Sequence, residues 1–340
     1  LGIQPWQLGQ PGFYNSNQIT FLNPFVDGIC TYKPVGGVID GIRSRDVNFG
    51  NPLFLRPGLL VAKSVSNNNY ATWRVGTLTV ATTNAGLTMT VSPTDATEIN
   101  RRIGASGTVV VTGPSTANGS DTRQLTATYS AINTGTGVLT ISALGTNQVE
   151  QINFGTAATG GNLELTVQTT AGGYVTTGTA AWNATDATYL AAINTALNTA
   201  TGVAGGIVAT AGGSGASLGI VLTYSGGAYA GKTWKPAQVA LLPTGATAPE
   251  FTPVTAAVSG VFQPGAILSE SGYATPCTFI KDELVMMGNG PVDWGHIPDS
   301  GRVNVAALVD YPTDTGIQRF VKTAMSTVAG PKFLFNDEVY

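Results

Sequence analysis

Charge and proline are distributed so unevenly along this 340-residue chain that a single uniform domain is excluded. Residues 76–250 hold 5 Lys/Arg and 7 Asp/Glu in 175 positions. The flanks, 1–75 and 251–340, hold the other 23 charges and 13 of the 18 prolines. The middle is rich in Thr, Ala and Gly, with apolar residues in alternation. Such a contrast predicts one domain interrupted by another inserted into it. Gly with β-branched Thr and Val favours short strands joined by tight turns, so the expected class is mainly β with a few short helices.

The organisation expected is an extended arm over 1–50, then a split domain built from 51–75 plus 251–340. Two modules are inserted, a β-rich one over 76–147 and a second over 148–235 with one helix; 236–250 reads as a linker. In 51–75, Pro57-Gly58 starts a strand and Asn67 to Asn69 makes a hairpin turn. Ser92-Pro93-Thr94-Asp95 reads as a helix start, with Ser as N-cap, Pro at the first helical position and an acid in the first turn. Gly104 ends that helix. A second helix is expected over about 186–199, with Leu190, Ile193 and Leu197 as its apolar stripe. A third spans Asp314 to Met325, and Lys332 to Tyr340 forms an extended tail.

Composition also narrows the function. Net charge is −3 and no basic run stands out, so nucleic acid is not an expected partner. No apolar run approaches the ~20 residues of a spanning helix, so no membrane partner is expected. No signal peptide is visible, and an opening on Leu1 reads as trimming during maturation. Cys30 and Cys277 read as buried free thiols. The one histidine, His296, has no Cys/His spacing for a metal site, and Asp293 and Asp299 near it read as turn formers. Gly212-Gly-Ser-Gly-Ala216 is not a nucleophile elbow, and Gly231-Lys232-Thr233 is not a phosphate loop. Asp282 and Glu283 are adjacent and read as solvated rather than as paired catalytic acids. The chain therefore reads as a non-enzyme with no cofactor. Within the arm, Trp6, Phe13, Tyr14, Phe21 and Phe25 are the candidate partner contacts, because aromatics give large contact area at low entropic cost.

Three segments of the flanks carry a resemblance. Leu55-Arg-Pro-Gly-Leu-Leu-Val-Ala-Lys63 precedes Asn69-Tyr70; Pro264-Gly-Ala-Ile-Leu-Ser-Glu270 follows the insert; Gly301-Arg-Val-Asn-Val-Ala-Ala-Leu308 precedes the last helix. In that order they resemble the head decoration proteins of tailed bacteriophages, the lambda-type capsid-stabilising family. The insert, through Asn147-Gln-Val-Glu-Gln-Ile152, Gly161-Asn-Leu-Glu-Leu-Thr-Val167, Trp182-Asn-Ala-Thr-Asp-Ala187 and Leu222-Thr-Tyr-Ser-Gly-Gly-Ala-Tyr-Ala-Gly-Lys232, resembles a β-rich module of phage structural proteins. The resemblance implies a split β-tulip or barrel-like domain with α+β inserts. It implies a cement protein on the capsid surface, assembled in the host cytoplasm, whose partners are the major capsid protein and itself as a homotrimer. The alternatives are another virion part (major coat, tail tube or fibre) and a projection that binds glycans or a host surface through Tyr174, Trp182, Tyr224 and Trp234. No long spine helix of the coat-protein kind is visible.

Overall fold

The computed structural model describes residues 23–47, 49, 53–83, 86–115, 122–286, 288–326 and 332–336. The fold is mainly β, with three α-helices among the described residues. The chain divides into two compact units. The first comprises Leu1–Trp73, Thr275–Tyr311 and Val321–Tyr340; the second comprises Arg74–Ala274 and Pro312–Phe320.

The first unit is built on two principal sheets. Strands Pro276–Phe279, Leu60–Lys63, Tyr70–Thr72, Gly37–Ile39 and Val292–Trp294 form one, in that order; strands Phe25–Tyr32, Pro298–Asn304 and Lys332–Asn336 form the other. The expected hairpin is Leu60–Lys63 with Tyr70–Thr72, turning through Asn68 at φ 63°. Gly58 starts it at φ 88°, where a side chain would collide with the Ala307 carbonyl at 2.1 Å. Ile39, Leu55, Val61, Tyr70, Ile280, Trp294 and Ile297 form the core. Asp46, buried, accepts two hydrogen bonds from Arg56, at 2.5 and 2.9 Å.

Residues 23–47 are part of this unit. Lacking any period, they read from sequence as arm, yet Phe25–Tyr32 and Gly37–Ile39 are both strands. The first gains its conformation from pairing with Pro298–Asn304, 269 positions away in the Thr31–Ser300 pair.

The second unit holds two cores, one nested in the other along the chain. Its outer body is a six-stranded sheet in the order Arg74–Thr77, Ile267–Glu270, Gly107–Pro114, Thr122–Asn133, Val138–Ile141, Thr88–Thr90. The sheet curls until its ends meet: Leu78 bridges Val91, and Thr79 N donates to Thr90 O at 2.9 Å. Val75, Met89, Ile99, Val109, Val111, Tyr129, Leu139, Phe262 and Leu268 fill the interior. Helix α1 (Pro93–Arg102) starts as its sequence predicts, with Asp95 N donating to Ser92 Oγ at 3.0 Å.

Residues 146–258 leave this barrel and return to it. They form an antiparallel sheet (Ile207–Ala211, Gly219–Tyr224, Val149–Asn153, Glu250–Thr255) and a second one around Asn162–Gln168. Helix α2 (Asp186–Thr201) buries Tyr189, Ile193 and Leu197 against the same core. The entering and leaving chains bridge at Thr146 and Val258. The strand paired with Arg74–Thr77 is Ile267–Glu270, so the returning chain meets the outgoing one there rather than near 250. The proline-bearing stretch expected as linker contains strand Gln238–Leu241, paired with Asn162–Gln168, and is followed by Glu250–Thr255, paired with Val149–Asn153. Helix α3 (Thr315–Ala324) begins with Asp314 accepting from Ile317 N at 2.9 Å, and Ile317 and Val321 are buried.

Candidate functional site

The buried ionisable groups Arg102, Asp95, Tyr129 and Glu150 are each tied into the fold by hydrogen bonds. Arg102 on α1 is buried; its Nε donates to Glu270 Oε2 at 3.0 Å and its guanidinium lies 5.6 Å from the Tyr273 ring. Burial pulls its pKa down against the Glu270 charge. The link fastens α1 to strand Ile267–Glu270. Asp95 accepts from Thr77 N at 3.0 Å and fastens the helix start to the first barrel strand. Tyr129, pushed up to about 12 by burial, donates to Gly104 O at 2.8 Å just beyond the helix end.

Glu150 is the other buried carboxylate of note, 3% exposed on strand Val149–Asn153. It accepts from the Tyr224 hydroxyl and from Ala237 N at 3.1 Å. Burial lifts its pKa, and the bonds from Tyr224 and Ala237 oppose the rise. Its neighbour Gln148 takes Trp234 N at 2.7 Å, and Asn147 takes Gly231 N at 3.2 Å. These side chains supply backbone partners for residues 231–237, which lie between regular elements and have no ladder of their own. No signal in the sequence pointed to this network, because its members lie up to 87 positions apart.

No group of three or more His, Cys, Asp or Glu that would hold a metal occurs among the described residues. His296 packs against Tyr32 with ring centroids 5.4 Å apart and planes tilted by 51°. Cys30 and Cys277 are both free thiols, and both are half-buried rather than fully buried as expected. No helix among the described residues is long and apolar enough to cross a membrane.

Of the arm aromatics, Trp6, Phe13, Tyr14 and Phe21 lie outside the described residues. Phe25 is in the core: 2% exposed, with ring centroids 5.1 Å from Phe279 and 6.4 Å from Phe333. Of the four aromatics read for glycan stacking, Tyr174 is exposed. Tyr224 is buried on Glu150, Trp182 packs on the inserted core, and Trp234 is packed on Tyr229 with its Nε1 donating to Tyr229 O at 2.9 Å.

What the first unit does offer is sheet edge. In the sheet of Phe25–Tyr32, Pro298–Asn304 and Lys332–Asn336, the first and last strands are both edges among the described residues. A strand edge presents a row of main-chain donors and acceptors to any extended partner. Exposed apolar side chains accompany these edges: Val26 on the first strand and Leu334, 69% exposed, on the last.

No protein-family model matches the chain, and no curated protein matches it. Among solved structures, a chain from Mycobacterium phage Patience aligns over 78% of this chain and 96% of that chain, with 14% identity and a TM-score of 0.21. Similarity at that level does not establish a shared fold.

Proposed function

We propose that this chain is a structural part of a phage virion, and specifically a capsid decoration protein. In this reading it binds the outside of the head, clips neighbouring coat subunits together and stabilises the shell as a homotrimer. It assembles in the host cytoplasm and acts mechanically, without catalysis, cofactor or nucleic acid. The sequence resemblance of the three flank segments supports the family.

The observation that carries the contact mode is the position of Phe25–Tyr32. It is an edge strand among the described residues, and the sequence that precedes it holds Trp6, Phe13, Tyr14 and Phe21. An edge strand is suited to β-augmentation, in which main-chain hydrogen bonds join two proteins without a new folded core. Three such contacts in a ring gain avidity, since the second and third engage intramolecularly.

The test is a chain lacking residues 1–22, compared with the full chain for co-sedimentation with empty shells of the major coat protein. Phe25 is retained, so the first unit's core is intact. The expected result is an unchanged circular dichroism spectrum with loss of shell binding. Undiminished occupancy by the shortened chain refutes the contact mode.

A further inference from the structure

One asparagine of the first unit stands open to attack by its own main chain. Asn289 lies between Gly288 and Gly290, in the connection from strand Leu284–Val285 to strand Val292–Trp294. Gly288 turns the chain at φ 83°, and Asn289 and Gly290 are both exposed. The main-chain N of Gly290 has no hydrogen-bond partner among the described residues. A side chain on Gly290 would meet nothing within 4 Å. The nitrogen that follows Asn289 is therefore unshielded, and its residue has room to turn.

The carbonyl that would be attacked is held by a cation. Arg45 Nη2 donates to Asn289 Oδ1 at 2.6 Å and to Gly288 O at 3.2 Å. Its Nη1 donates to Gly41 O at 2.5 Å and to Ser44 O at 2.7 Å. Four acceptors thus fix the guanidinium in place. The two loops it joins are also pressed together: a side chain on Gly41 would lie 2.0 Å from Gly290 O and 2.9 Å from the Asn289 carbonyl carbon. A cation fixed on a carbonyl oxygen steadies the negative charge that oxygen gains when a nucleophile adds to its carbon. Asn289 Nδ2 donates to nothing among the described residues, so the group that must leave is not held.

We infer that Asn289 is a site of self-modification, at which the folded chain converts the side-chain amide to a carboxylate with Arg45 as the oxyanion donor. Gly290 N adds to Asn289 Cγ, forming the N–Cγ bond. The Cγ–Nδ2 bond then breaks, and Nδ2 leaves as ammonia with the proton lost from Gly290 N. Water next adds across one of the two C–N bonds of the cyclic imide and breaks it, which gives aspartate or isoaspartate at 289. The sum is amide plus water to carboxylate plus ammonium, with no oxidant and no cofactor. Either product brings a negative charge to Arg45. Charge-assisted hydrogen bonds are roughly twice as strong as neutral ones, so the conversion tightens the clasp between residue 45 and the turn. The modification lies within one copy and stands whether or not the shell reading holds.

The experiment incubates the full chain at mildly alkaline pH, folded and in urea, and follows conversion at 289 by peptide mass measurement. Peptide mapping separates this site from Asn118-Gly119, the other such pair in the chain. The folded chain is expected to convert about tenfold faster than the unfolded one, below the ~100-fold that a buried oxyanion donor supplies. Arg45→Met should remove that advantage. The comparison of folded with unfolded wild type needs no variant, so the test holds if Arg45→Met misfolds. For the clasp, Asn289→Asp should unfold about threefold more slowly than the wild type at low salt and lose that gain at high salt. A folded chain that converts no faster than the unfolded one overturns the inference. So does an Arg45→Met chain that keeps the wild-type circular dichroism spectrum and converts as fast as the wild type. An Asn289→Asp chain that unfolds as fast as the wild type at low salt overturns the clasp.

Discussion

Gly260→Ala tests the nested architecture at its narrowest point. Residues 144–146 leave the barrel where 258–260 return, and the two segments cross almost in contact. A methyl carbon on Gly260 would lie 2.4 Å from Gly145 N and 2.8 Å from both the carbonyl carbon and Cβ of Leu144. The nearest of these is backbone, so the chains must part by about 1 Å to reach ordinary contact. Gly260 is not among the positive-φ glycines, so the effect is crowding and not backbone strain. The segments have little freedom to part. Thr82 Oγ1 donates to Gly260 O at 2.7 Å and accepts from Phe262 N at 2.8 Å, while Leu144 and Phe262 lie in the barrel core. Overpacking of this kind costs about 1–3 kcal/mol. In a unit of this size each kcal/mol corresponds to about 2–4 °C, so the barrel transition should fall by roughly 2–12 °C. Calorimetry reads the shift, and hydrogen exchange locates it. Amides of Gly107–Pro114 and Thr122–Asn133 should open more readily, while those of Asn162–Gln168 and Gly219–Tyr224 keep their protection. An unshifted transition, or loss of protection in the inserted module first, refutes the crossing.

Three further outcomes follow from buried groups. Glu150's carboxyl is raised by burial above its ordinary 4.5, so the native state binds more protons than the unfolded one between those two values. Its contribution is therefore full below the ordinary value, declines as pH rises through the raised native value, and is constant above it; urea midpoints across pH should show this slope, and Glu150→Gln should flatten it. Arg102→Ala leaves Glu270 without its buried partner and should cost about 3–5 kcal/mol by urea denaturation; a loss under about 1 kcal/mol would show that the pair does not fasten α1. Burial pushes the Cys277 thiol up to about 11 despite Lys33 and Lys63 nearby, so alkylation at neutral pH followed by peptide mass measurement should find Cys277 unmodified until the chain unfolds.

Local chemistry made some elements legible and not others. Ser92, Pro93 and Asp95 specify the start of α1 within four positions, and strand Asn162–Gln168 alternates buried and half-buried residues as its sequence does. The hairpin around Asn68 declared itself through its turn residues. The strands that sequence did not reveal are short or at edges. Glu250–Thr255 is mostly exposed and carries Pro253, so no alternation marks it; pairing with Val149–Asn153 fixes it instead. Phe25–Tyr32 likewise depends on a distant partner strand. The second level of nesting was hidden because barrel and inserted module share one Thr/Ala/Gly composition.

Hydrogen exchange across Phe25–Tyr32, measured on the free chain and on the chain bound to coat-protein shells, addresses the proposed contact directly. Amides of that strand not paired with Pro298–Asn304 should become protected on binding, while those of Asn162–Gln168 do not change. Unaltered exchange along Phe25–Tyr32 in a saturated shell would contradict docking at this edge.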